Sequence, residues 1–277
     1  MLISTIEQFV EVIPTAAGTE FKAIQPFLNE SENQLVGLFI GEDLFSYVTS
    51  QQTDSRLKSI FVRLLCLQAY ENAIPFADLI QTPNGFGIVS NSNMAPASKE
   101  RVERLREWVS VQIDMNTDLF IQLTLDDAMA LTQWTKFSDF SSFTDCLFLT
   151  GMDYSNFVKC QGSKRKSFID TKSKLLSWQT NILEKIISET YLAELIAEVR
   201  KNTFSDGSKN VINHCKMILG QLAQSNQDEA VKICDTLSNI LDADLATYKT
   251  YASSPEYALK IAPKYVNKSS DSTFFFG

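Results

Sequence analysis

The chain has 277 residues, 44% of them hydrophobic, with 33 Asp and Glu against 25 Lys and Arg for a formal net charge of −8. It is too apolar for a disordered chain and, with 10 Gly and 7 Pro, too poor in chain breakers for a fibrous or low-complexity one. A lone histidine, His214, excludes two-histidine metal motifs, and the negative balance argues against a generic polyanion binder.

The charge is uneven. Residues 1–146 hold 9 Lys and Arg against 19 Asp and Glu, a net −10, and residues 147–277 hold 16 against 14, a net +2. Such a split suits a molecule with two different faces in a larger assembly, and chance scatter produces it too. Cys66, Cys146, Cys160, Cys215 and Cys234 include no C-x-x-C pair and are odd in number, so they read as reduced, mostly buried thiols of a cytosolic protein. Arg63 interrupts the best apolar run, so no membrane span is expected. Glu7 and Glu11 stand where a secretory signal core would be, and no secretory leader is expected either.

In chain order, Ile6, Phe9, Val10 and Ile13 fall on one helical face behind a Thr5 cap. Phe21, Ile24, Leu28, Leu35 and Phe39 continue as a long amphipathic helix carrying Pro26 and closed by Gly41. A short helix over 42–50 and a longer one over 54–74 follow. Residues 78–90 break the 3.6-residue period with two short β-prone runs around Pro83-Asn84-Gly85, whose residue types suit a tight turn. Ser98 then caps a helix with Val102, Leu105 and Val109 inward and Trp108 at their edge. Further helices are predicted over 118–134, 167–201, 207–224 and 227–252. Glu42 and Glu189 open helices, where negative charge suits the helix dipole.

An internal repeat runs through this pattern. A shift of 147 sets Phe21 on Phe168, Leu28 on Leu175, Leu35 on Ile182, Phe39 on Ile186, Ile40 on Ile187 and Phe45 on Leu192. A shift of 148 sets Phe9-Val10 on Phe157-Val158, and 151 sets Ile60 on Val211 and Leu67 on Ile218. Matched spacing over consecutive elements indicates duplication. The expected fold is mainly α, with two pseudo-repeated helical units, residues 1–146 and 147–277, and one β-hairpin arm over about 78–97.

Motifs for chemistry are scarce. Phosphate-binding, dinucleotide-binding and nucleophile-elbow glycine patterns are absent from the sequence. Asp126 and Asp127 are neighbours on a helix, about 100° apart, so their carboxylates diverge instead of sharing a proton or metal. His214 reads as a partly buried or interfacial helix residue. No catalytic, cofactor or metal residue is therefore expected. Lys164, Arg165 and Lys166, with Lys172 and Lys174 behind them, are the candidates for phosphate contact, weighed against a solvated helix start. Phe274, Phe275 and Phe276 either tuck into the chain's own core or dock on a neighbour.

The opening T-I-E-Q-F helix, the long helix after it and the G-E-D-L-F step resemble the helical head–tail connector proteins of tailed phages. The stretches T-P-N-G-F-G-I-V-S-N and A-P-A-S-K-E-R-V-E-R-L look like a duplicated family of unknown function from Bacteroidetes genomes and their phages. The resemblance covers residues 3–110 and implies no catalytic residues. It implies a non-enzymatic structural protein of a phage or prophage, a connector that meets portal and tail proteins and itself in a ring. DNA would be met by passage or weak non-specific contact, without a membrane, in the bacterial cytoplasm during assembly and then in the virion. Candidate partner contacts are Pro83, Asn84, Gly85 and Phe86 of the arm and Phe274–Phe276 of the tail. The alternatives are a helical adaptor for a host or mobile-element partner, or an unfamiliar enzyme using Asp126, Asp127 or His214.

Overall fold

A computed structural model describes residues 2–77, 79–82, 85–88 and 98–263, with 79–82 and 85–88 as backbone alone. The protein is mainly helical. Helix α1 (Ile6–Val12) starts where the Thr5 side chain accepts from the Gln8 N–H, and it buries Phe9. Helix α2 (Phe21–Leu35) buries Ile24, Leu28, Ser31 and Leu35, a stripe at helical spacing. It runs into a π-helical turn over Val36–Ile40 and breaks at Gly41, where φ is +75°.

Helix α3 (Gly41–Ser50) follows with Glu42 and Asp43 in its first turn, and α4 (Arg56–Ala73) packs against α2 and later elements through Phe61, Leu64 and Leu65. Strands β1 (Leu79–Thr82) and β2 (Gly85–Ile88) pair antiparallel, Leu79 opposite Ile88 and Thr82 opposite Gly85. Helix α5 (Lys99–Asp126) is one element where the sequence suggests two, because Val109, Asn116, Thr117, Phe120, Ile121 and Thr124 keep one face buried along it. Ser98 stands at its N-cap without a side-chain capping bond. The break comes at Asp127, which starts α6 (Ala128–Trp134) by accepting from the Met129 and Ala130 N–H groups.

Short turns α7 (Phe140–Phe143) and α8 (Gly151–Tyr154) flank a stretch that the sequence suggests is a boundary between units. Structurally it is core: Cys146, Leu147 and Phe148 are fully buried. Part of the backbone of this bent stretch is satisfied by the buried Gln179, whose Oε1 accepts from the Leu147 N–H at 2.9 Å and whose Nε2 donates to the Asp145 carbonyl at 3.1 Å.

Helix α9 (Lys164–Trp178), capped by Ser163, passes through a π-helical turn over Gln179–Leu183 into α10 (Glu184–Ile187). The helix expected over 167–201 breaks at Ser188, φ +80°, and restarts as α11 (Glu189–Lys201). Then come α12 (Asp206–Ala223), α13 (Gln227–Ala243), α14 (Lys249–Ala252) and α15 (Pro255–Ile261). The expected 227–252 helix thus ends at Ala243. Of the matched pairs, Leu28/Leu175, Ile40/Ile187 and Leu67/Ile218 are buried on both sides; Phe168 and Phe39 are buried while Phe21 and Ile186 are half-buried.

The buried apolar residues of both halves form one contiguous cluster. An aromatic group centres the first half, with Phe39 5.5–6.0 Å, ring centre to ring centre, from Phe120, Trp134 and Phe143. The buried Trp134 indole N–H donates to the Phe39 carbonyl at 3.0 Å, satisfying an oxygen of the π-turn itself. No described helix is long and apolar enough to cross a membrane.

Candidate functional site

The sequence-derived chemical candidates are spent on packing. Asp127 caps α6 with Oδ1, while its Oδ2 accepts from the Tyr47 hydroxyl at 2.8 Å. Burial first, and then that bond and the Asp127 charge, raise the Tyr47 pKa above its ordinary value. Asp126 Oδ1 accepts from Asn202 Nδ2 at 2.8 Å and from Gln122 Nε2 at 3.1 Å. His214, half-buried on α12, has Nδ1 2.9 Å from the Asn210 carbonyl one turn back. The five cysteines are free, and burial pushes the Cys66 and Cys146 thiols up to about 12, so neither forms a thiolate readily. Among the described residues no group of three or more His, Cys, Asp or Glu is arranged to hold a metal ion.

The basic cluster divides. Arg165 Nη1 donates to Asp118 Oδ1 at 2.8 Å, and Asp118, 2% exposed, also accepts from the Met152 N–H at 2.9 Å through Oδ2. Arg165 is therefore an internal tie between α5 and α9. Lys172 reaches Asp145 at 2.9 Å and the Ser142 carbonyl at 2.5 Å, closing the boundary stretch. Lys164 and Lys166 are exposed.

The sequence reading missed Asp118. Its signal is a carboxylate on the buried face of α5, two residues before Phe120, where burial requires a partner.

Two concavities stand out. A cleft of mixed lining and about 510 Å³ lies where the halves meet, with Asp118, Asp153, Lys164, Asn202 and Lys216 beside Leu149 and Phe204. Its charges are largely engaged: Lys216 Nζ is 2.6 Å from Asp153 Oδ2, and Asp118 holds Arg165. Asp126, Asp127 and His214 do not line it.

The second is an apolar groove of about 390 Å³ between α2, α4 and α5 at the root of the strand pair. Ala23 and Phe27 come from α2, Tyr70 and Ala73 from α4, Phe76 from the turn after α4, and Leu105 from α5. Phe76 stays 61% exposed although its ring lies 5.7 Å from that of Phe27. A large aromatic exposed beside an apolar groove is the surface feature that most often marks association. Periodicity placed Leu105 inward but gave no sign of this groove, since Tyr70, Phe76 and Phe27 meet only through packing.

The arm and tail candidates are located only in part. Gly85 and Phe86 sit in β2, paired with Thr82 and Gln81. Pro83, Asn84, Phe274, Phe275 and Phe276 lie outside the described residues. No curated protein and no solved structure matches the chain. Residues 17–124, which carry most of the groove, match the model described as "Family of unknown function (DUF6712)".

Proposed function

We propose that this chain is a non-enzymatic structural protein of a phage or prophage, a head–tail connector that acts by binding portal and tail proteins and copies of itself. The observation that carries the reading is the apolar groove at the root of the strand pair, with Phe76 exposed beside it. An apolar surface of this kind favours a protein partner. The engagement of Asp126, Asp127, His214 and Arg165 in internal bonds supports the same reading over an unfamiliar enzyme. The net −10 of residues 1–146 suits a surface that lets DNA pass without sticking, since like charge repels phosphate. The arm, through Pro83–Phe86, and the Phe274–Phe276 tail are its reaching elements, and its place is the cytoplasm during assembly and then the virion.

In this reading the chain is a duplication with units 1–146 and 147–277. The support is local geometry: a long helix and a π-helical turn precede a break at Gly41 (φ +75°, ψ +164°) and, 147 residues later, at Ser188 (φ +80°, ψ +154°), although in the second case the four-residue α10 separates the turn from the break. Serine rarely adopts that conformation, so its recurrence at this offset is hard to obtain by independent packing. Val48 and Leu195, also 147 apart, are both fully buried.

The test is co-expression of the full chain with portal and tail proteins of a tailed phage, taken from the chain's own genome if they are encoded there, followed by purification and negative-stain electron microscopy. Ring-shaped particles or a stable complex with either protein are expected. A chain that remains monomeric and co-purifies with neither overturns the assignment.

A further inference from the structure

We propose that the groove between α2, α4 and α5 is the docking site for the aromatic segment Phe274–Phe276 of a second copy of this chain. The inference rests on the reading that the chain assembles with itself, and it names the contact by which it does so.

The groove needs an apolar occupant: Phe27, Tyr70, Phe76 and Leu105 line it, and Ala23 and Ala73 open its walls with small side chains. Its volume of about 390 Å³ is in the range of sites that take aromatic groups. The most apolar run in the sequence beyond the described residues is Phe274-Phe275-Phe276. Three consecutive phenylalanines amount to more apolar surface than a water-exposed segment holds without a partner.

Reach allows a second copy. The described residues stop at Pro263, just after α15, which packs on α10 and α14 of the second half. Residues 264–273 span up to about 35 Å when extended, against a radius of gyration of about 19 Å for a folded chain of this length. One copy donates a tail and offers a groove at a different place, so the contact is head-to-tail and extends into rings or chains.

The experiment uses the full chain, a variant lacking residues 270–277, and Ala23→Glu, which puts a charge into the groove from an exposed position. Sedimentation velocity gives association and calorimetry gives stability. Each variant alone should weaken self-association at least tenfold with an unchanged melting temperature. An equimolar mixture of the two should form a one-to-one complex, because one partner keeps a groove and the other a tail. If both variants and the mixture assemble like the parent, self-assembly stands and the docking site is refuted. If the parent is monomeric and deletion of the tail lowers its melting temperature, the tail fills its own groove and the inference falls. A monomeric parent with no change in stability refutes it as well.

Discussion

The paired breaks at Gly41 and Ser188 give a prediction with opposite signs at positions 147 residues apart. At Ser188, φ +80° with ψ +154° lies in a region that is essentially glycine's, and such residues store about 1–3 kcal/mol. Ser188→Gly releases that strain. It also removes the hydroxyl that accepts from the Tyr191 N–H at 3.2 Å, where Gly in place of a capping Ser costs a few tenths of a kcal/mol. The added freedom of the unfolded chain costs about 0.4–1 kcal/mol more. The balance is a gain of about 1 kcal/mol, or about 2–3 °C in melting temperature for a chain of this size. Gly41→Ser goes the other way. A Cβ there would stand 3.0 Å from Phe137 Cδ2 and 3.1 Å from Phe137 Cβ, so overpacking of about 1–3 kcal/mol adds to the strain. A loss of about 2–4 kcal/mol and about 5–10 °C is expected. Differential scanning calorimetry with urea unfolding measures both. A Ser188→Gly variant less stable than the parent would refute the reasoning, because the hydroxyl rather than the backbone would then govern the junction.

Asp118→Asn leaves Arg165, whose side chain is 13% exposed, without its counter-charge, and should cost about 3 kcal/mol in urea unfolding. Asp118→Leu combined with Arg165→Met should recover only part of that, because the Met152 N–H loses its acceptor as well, and a single-variant loss below about 1 kcal/mol would show the pair to be solvated. Gly151→Ala would put a Cβ 2.3 Å from the Arg165 Cα and backbone N, which cannot yield as a side chain can, so a loss of at least about 2 kcal/mol is expected from thermal unfolding. Burial first, then the Asp114 charge, raise the Glu71 carboxyl above its ordinary 4.5, with Arg106 opposing. The folded state therefore binds the Glu71 proton more tightly than the unfolded chain, and this residue costs stability as pH rises from 4.5 through its folded value. Glu71→Gln should be more stable than the parent at neutral pH and equal to it in acid; stability curves that stay parallel from acid to neutral pH would contradict the sign.

The sequence by itself determined most of the helices, because burial of one helical face imposes a 3.6-residue period that survives in the order of residues. Ile24, Leu28 and Leu35 in α2, and Val211, Cys215 and Ile218 in α12, are apolar in that order and are buried in it. It also limited the chemistry, since a single imidazole supplies few reactions; that Asp126 ends α5 while Asp127, in extended backbone, caps α6 was decided by the break between the two helices and not by their adjacency on one. Where helices stop was less legible. Asp127, Ser188 and Ala243 end helices at points where the apolar period barely changes, and the choice is made by packing of the next element: Trp134 on the Phe39 carbonyl, Tyr191 and Leu192 turned into the core after Ser188. Tertiary structure alone decided the fate of the charged candidates. Arg165 looks in sequence like its neighbours Lys164 and Lys166, and it becomes an internal tie because α5 carries Asp118 to it across 47 residues of chain. The groove has the same origin, since Phe27, Tyr70, Phe76 and Leu105 belong to four segments, and no local pattern records that their side chains converge and leave a space among them.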